Sequence, residues 1–191
     1  MPLPKGTFDA DGKVRNFNKS LPFILDCAKR GDALAQSLAG YCYITGSGTR
    51  KSRRKALTWL LKAAAQGNFV AMSNLGLMFE TGEGVAPNPR RAIQWYKKGS
   101  RGGEPLAQAN LGLMYIRGVG VRRNEAVGVS HLKKAARQGD PKAIYNLATA
   151  YLHGVGVRKN SKTAQQYFKK AAELGEVETP TLSDHSKSKK Q

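Results

Sequence analysis

The chain has 191 residues, enough for one domain with a substantial core or for a short repeat array, and 40% hydrophobic content with 8% aromatics favours close-packed helices over a β-sandwich. Lys and Arg number 32 against 13 Asp and Glu, a formal net charge of +19 that draws acidic protein surfaces, nucleic acid or anionic membrane without choosing among them. No apolar run approaches the roughly 18 residues that span a bilayer, and two cysteines with three scattered histidines offer no zinc spacing, so no metal or cofactor is expected.

Residues 1–16, which open with "MPLPKGTFDADGK", hold early acids and no apolar h-region, and read as a loose arm rather than a signal peptide. A cytoplasmic protein is the expectation, with Cys27 and Cys42 as two reduced, packed thiols. Residues 17–32 then match the end of a second repeat helix, with Phe23 over Trp59 and Gly31 over Gly67, which predicts a short N-terminal capping helix.

From there the sequence repeats at an offset of 36. Gly31, Gly67, Gly103, Gly139 and Gly175 form one comb, Gly46, Gly82, Gly118 and Gly154 a second, and Gly48, Gly84, Gly120 and Gly156 a third. Alanines at 35, 71, 107 and 143 and rings at Tyr43, Phe79, Tyr115 and Tyr151 keep the same phase without insertion. The spacing predicts four units, 33–68, 69–104, 105–140 and 141–176, followed by a disordered basic tail over 177–191. Each unit reads as two helices. Ala107, Leu111 and Tyr115 recur every fourth residue, an apolar stripe on one face of the first helix. The series Gly40, Gly76, Gly112, Ala148 is small enough to admit a neighbouring helix. The second helix opens at Ser52, Asn88, Asn124 or Asn160, residues that accept a hydrogen bond from an early N–H. Pro105 and Pro141 suit the first position of the next helix.

The residues "ANLGLMYIRGVGVRRNEAVGVSHLKKAARQGD" (Ala109 to Asp140) and "YNLATAYLHGVGVRKNSKTAQQYFKKAAELGE" (Tyr145 to Glu176) carry a resemblance to the Sel-1-like repeat family, relatives of tetratricopeptide repeats. LG-x-x-Y/F, G-x-G-V and K-A-A-x-x-G recur in phase over residues 33 to 176. The resemblance implies an all-α fold, a right-handed α/α solenoid of four helix-turn-helix repeats, and a role as scaffold or adaptor. Thr49, Gly128 and His131 depart from the repeat pattern, and the family's usual aspartate cap is replaced by Ser52, Asn88, Asn124 and Asn160. Some secreted members resemble β-lactamase-like proteins and carry paired cysteines, a pattern absent here; a weak hydrolase is therefore a distant third reading.

The turn "GVGVRR" does not read as a phosphate loop. A P-loop follows a strand and ends in Lys-Ser/Thr, whereas this turn follows a helix, and a dinucleotide fingerprint needs a third glycine. Val85, Val121 and Val157 are expected to tuck between units. No nucleophile–base pair stands out, so no catalytic residue is assigned and the chain is read as a non-enzyme.

Two series carry binding hypotheses. Asn74, Asn110 and Asn146 either face an open groove, where they could hydrogen-bond an extended peptide, or bridge helices within the array. Met78, Met114, Leu77 and Leu113 could floor that groove, although apolar residues at such positions are more often simply core, and Arg117 and His153, which end first helices, could line it. The second series is a basic edge: Arg50, Lys51, Arg53 and Arg54, then Arg90 and Arg91, Arg122 and Arg123, Arg158 and Lys159. Lysines late in the second helices, among them Lys62, Lys98, Lys133 and Lys170, read as a solvated face. A protein partner with an acidic or extended segment fits the basic edge. Nucleic acid is the alternative, but single-strand recognition wants exposed rings, and the rings here fall at repeat positions expected to be buried.

Overall fold

The structure, a computed structural model, describes residues 17–175; the expected arm at 1–16 and tail at 177–191 lie outside the described residues. The described residues form nine helices and no strand: α1 (Phe17–Lys29), α2 (Ala33–Thr45), α3 (Arg53–Ala65), α4 (Phe69–Thr81), α5 (Pro89–Arg101), α6 (Pro105–Arg117), α7 (Glu125–Arg137), α8 (Pro141–His153) and α9 (Ser161–Glu173). The chain is an all-α solenoid of helix pairs, and it divides into two compact units at Gly99 and Ser100.

Local chemistry sets the helix ends. Asp32, Asn68 and Asp140 precede α2, α4 and α8, and their Oδ1 atoms accept from the N–H groups of Ala35, Ala71 and Ala143 at 2.7, 2.8 and 2.7 Å. Glu104 occupies the same position before α6 but makes no side-chain capping bond, and Pro105 comes next. The second helices start on Ser52, Asn88, Asn124 and Asn160, which accept from residues three further on. First helices stop on Gly46, Gly82, Gly118 and Gly154, all in the left-handed region that only glycine enters without strain.

In the unit ending at Gly99, α1 packs on α2, and Ile24 and Cys27 join Ala35 and Ala39 in one core cluster. A second cluster gathers Leu60, Ala63, Leu75 and Met78. The glycines of the first helices let the second helices approach. A Cβ at Gly40 would lie 2.6 Å from the Leu60 side chain, and one at Gly76 would lie 2.5 Å from the Tyr96 ring. Tyr96 is fully buried where other repeats hold Leu or Phe, and its hydroxyl donates to Glu80 Oε2 at 2.7 Å.

In the unit beginning at Ser100, α6 packs on α7, α7 on α8 and α8 on α9. Its core runs through Ile116, Val129, Leu132, Ile144 and Leu147, with Val155 and Val157 of the last turn packed against it. Gly112 and Gly128 meet backbone to backbone, and the equivalent positions in the next pair are the buried Ala148 and Ala164.

Candidate functional site

The turns that lead into the second helices are built to sit on neighbouring helices. Gly84, at φ +81, lies against Arg53 at the start of α3, and a Cβ there would overlap the Arg53 Cβ. In the other unit Gly156, at φ +65, lies against the backbone of Glu125 at the start of α7, and its N–H donates to Glu125 Oε2 at 3.2 Å. Within each unit this contact brings one turn beside the opening of the preceding second helix. Arg50, Lys51, Arg53, Arg54, Arg90 and Arg91 in the first unit are all exposed, as are Arg122, Arg123, Arg158 and Lys159 in the second. Arg123 is tied to the Glu125 carboxylate as an ion pair, and Arg91 stands over the Phe79 ring, 5.6 Å from its centroid.

The groove residues expected from the sequence divide. Met78 and Met114 are 2% and 1% exposed, because they lie three residues beyond Leu75 and Leu111 on the inward stripe; they belong to the core and not to a groove floor. Asn146 is 3% exposed, and its Nδ2 donates at 2.8 Å to the Lys142 carbonyl of its own helix, so it neither faces solvent nor reaches a neighbouring helix through that bond. Asn74 and Asn110 are half-buried, Arg117 is half-buried at the end of α6, and His153 is exposed at the end of α8.

Sequence patterns offered Leu77 as part of a groove floor but did not single out Leu34, Tyr41 and Val70 as an exposed apolar stripe with it. Leu34 and Tyr41 on α2, and Val70 and Leu77 on α4, are each more than a third exposed. They occupy equivalent repeat positions, seven residues apart on each helix, and α2 touches α4. The pattern was legible as Leu34 over Val70 and Tyr41 over Leu77, but the apolar periodicity of a core stripe masks it.

The rings also depart from expectation. Tyr43 and Phe79 are buried, whereas Tyr115, Tyr151, Trp59, Trp95 and Tyr167 are half-buried. Their faces are engaged by neighbours: Lys62 lies 4.9 Å from the Trp59 centroid, Lys98 4.5 Å from Trp95 and Lys133 5.6 Å from Tyr151. His131 stacks on Tyr115 with centroids 5.9 Å apart, and Tyr151 stacks on Tyr167. Several late lysines are thus ring partners as well as solvated charges, since a long aliphatic stem lets the ammonium fold back over a ring.

Cys27 and Cys42 are free and buried. Burial pushes the Cys42 thiol up to about 11, against a smaller opposing effect of its backbone hydrogen bond. Among the described residues no group of three or more His, Cys, Asp and Glu could hold a metal ion, and no helix is long and apolar enough to cross a membrane.

Comparison with known proteins agrees with this architecture. The family model described as Sel1 repeat matches residues 33–68, 70–104, 105–140 and 141–176. Similar solved structures include a protective antigen of uropathogenic Escherichia coli with an SLR fold, at 38% identity and TM-score 0.75 over 82% of this chain and 33% of that one. A Sel1 repeat protein from Oxalobacter formigenes is 30% identical at TM-score 0.77, over 86% of this chain and 65% of that one. Cysteine rich protein B of Helicobacter pylori is 25% identical at TM-score 0.55, over 68% of this chain and 96% of that one. The chain therefore spans a third of the first of these relatives and just under two thirds of the second. No curated protein matches the sequence. Proteins of this kind serve in general as non-catalytic scaffolds that bind protein partners, and with four matched repeats across most of its length the chain belongs to the Sel1 repeat family.

Proposed function

We propose that the chain is a non-enzymatic scaffold or adaptor that engages an acidic protein segment through its basic turn edges and seats apolar residues of its partner on the face of the first helices. The observation that carries this reading is the set of exposed cations on the turns and helix starts of both units. Arg53 at the start of α3 stands beside the turn that precedes Arg90 and Arg91, and in the other unit Arg122, Arg158 and Lys159 are exposed while Arg123 is ion-paired with Glu125. The five Lys and Arg before and within the first turn of α3, Arg50, Lys51, Arg53, Arg54 and Lys55, also add to the positive end of the helix dipole, so the field there favours carboxylates. Leu34, Tyr41, Val70 and Leu77 supply the apolar contact that charge alone lacks. Placement in the cytoplasm belongs to the same proposal, supported by two buried free thiols.

A nucleic-acid-associated role would use the same cations. The half-buried rings weigh against it, because lysines and neighbouring rings already cover faces on which bases would stack. Titration of labelled DNA, RNA and a poly-glutamate peptide against salt separates the readings. The expected result is saturable peptide binding that weakens with salt and is weakened further on replacing Arg53 and Arg90 with Glu; tighter binding of either nucleic acid at every salt concentration refutes the scaffold reading.

A further inference from the structure

The unit ending at Gly99 holds an open cleft of about 600 Å³ between α3, α5 and the turn joining α4 to α5. Leu57, Leu61 and Trp95 form its apolar floor, Arg91 and Lys98 stand at its margin, and no carboxylate lines it. Leu61 is 42% exposed, and it occupies a position where the other three repeats carry lysine: Lys97, Lys133 and Lys169. The corresponding surface two repeats later, in the other unit, is split into two hollows, one of about 290 Å³ beside Lys133, Tyr151 and Tyr167 and one of about 480 Å³ beside Val157, Arg158 and Asn160. There Lys133 replaces Leu61, Tyr167 replaces Trp95, and Lys133 lies over Tyr151. One cleft has thus exchanged a repeated surface cation for an exposed leucine and is one continuous hollow where its equivalent is divided, while keeping cations beside it.

We propose that the Leu61–Trp95 cleft is a docking site for an acidic protein segment with one bulky apolar anchor residue. This rests on the scaffold reading and names the place where its partner is anchored. The volume accepts one or two large side chains, the leucines and Trp95 desolvate an anchor, and Arg91 and Lys98 pair with flanking carboxylates. The same geometry disfavours a nucleotide: the floor is largely aliphatic, and Lys98 occupies one face of the Trp95 ring, 4.5 Å from its centroid.

The test uses the full chain and two fluorescein-labelled peptides, an Asp/Glu-rich peptide with a single central Phe and its twin with Ser in that place. Anisotropy is expected to show the Phe peptide binding about tenfold or more tightly, from burial of the ring. Leu61→Lys installs the residue of the sister repeats at an exposed site, so the fold is retained; unchanged circular dichroism and melting temperature check this. In that variant the preference for Phe should vanish while binding of the Ser twin persists. Equal binding of the two peptides by the parent chain, or a Phe preference that survives in Leu61→Lys, overturns the cleft and leaves the acidic-partner reading standing. Failure of both peptides to bind at low salt overturns both. Single-stranded oligothymidylate that competes with the Phe peptide and is weakened by Trp95→Ala overturns the protein-segment assignment in favour of nucleic acid.

Discussion

The backbone of Gly112 on α6 lies so close to that of Gly128 on α7 that a Cβ on either would meet the other's carbonyl oxygen, at 2.7 and 2.5 Å. Alanine normally gains about 1 kcal/mol over glycine inside a helix. Here the obstacle is backbone, with Leu132 N also within 3.2 Å of the Gly112 position, so the helices must separate. Gly112→Ala is expected to destabilise the protein by about 1–3 kcal/mol, as overpacking of a tight contact does. Denaturant unfolding measures this. A variant as stable as the parent would mean that α6 and α7 part without cost, as the Ala148 and Ala164 pair in the next repeat shows to be sterically attainable there.

Glu104 is the weak helix start. Its equivalents Asp32, Asn68 and Asp140 all cap, and it does not. Burial raises its carboxyl above the ordinary range; the nearby Leu106 N–H, which is not placed to form a capping hydrogen bond, opposes the rise weakly and the Asp140 carboxylate adds to it. A raised carboxyl binds its proton more tightly folded than unfolded, so ionisation at neutral pH costs stability, and that cost disappears below the ordinary carboxylate pKa. Glu104→Asn should stabilise by about 1 kcal/mol at pH 7 through the restored cap, plus relief of this charge. The gain should shrink on acidification to about pH 3. Thermal melts of both proteins at the two pH values measure it; a gain that grows as pH falls contradicts the assignment.

The architecture was legible in the sequence because it is written in glycines. Gly46, Gly82, Gly118 and Gly154 must be left-handed to end first helices, and Ser52, Asn124 and Asn160 accept the bonds that begin second ones. The exposed cations were legible for the same reason, since the turn fixes their place. The choice between groove and interior for Met78, Met114 and Asn146 was not, because a helical period identifies a face only to within a residue and burial depends on what packs there. Nor was the folding of Lys98 over Trp95, which depends on four rotatable bonds that sequence leaves open. Leu61 stood in plain view as a break in a lysine series, but its significance needs the cleft around it.

Cys42 tests the core by chemistry. Its side chain is fully buried and its thiol is pushed up to about 11, so both access and thiolate content are low at pH 8. Ellman's reagent should leave Cys42 unmodified in the native protein at pH 8 and titrate it fully in guanidinium. Peptide mapping after a short native exposure reads the site directly; rapid native labelling of Cys42 would show that α2 opens locally on the timescale of the assay.

A last prediction concerns an alternation hidden inside the 36-residue period. Gln66 Nε2 donates to Gln36 Oε1 at 2.8 Å in the first repeat, and Gln138 Nε2 donates to Gln108 Oε1 at 2.9 Å in the third. The second and fourth repeats have no such pair: Met72 with Gly102, and Ile144 with Leu174, take those positions. Gln108 is 5% exposed, so losing its donor leaves a buried acceptor dry, whereas Gln138 also donates to the exposed Gly103 carbonyl, where water can substitute. Gln138→Leu alone should therefore cost about 1–3 kcal/mol. Gln108→Ile together with Gln138→Leu recreates the residues of the fourth repeat and removes both polar partners, so most of that loss should return. A double-mutant cycle by urea unfolding gives the coupling. Strict additivity of the two substitutions would show that the pair contributes through its separate surroundings and not through the bond between them.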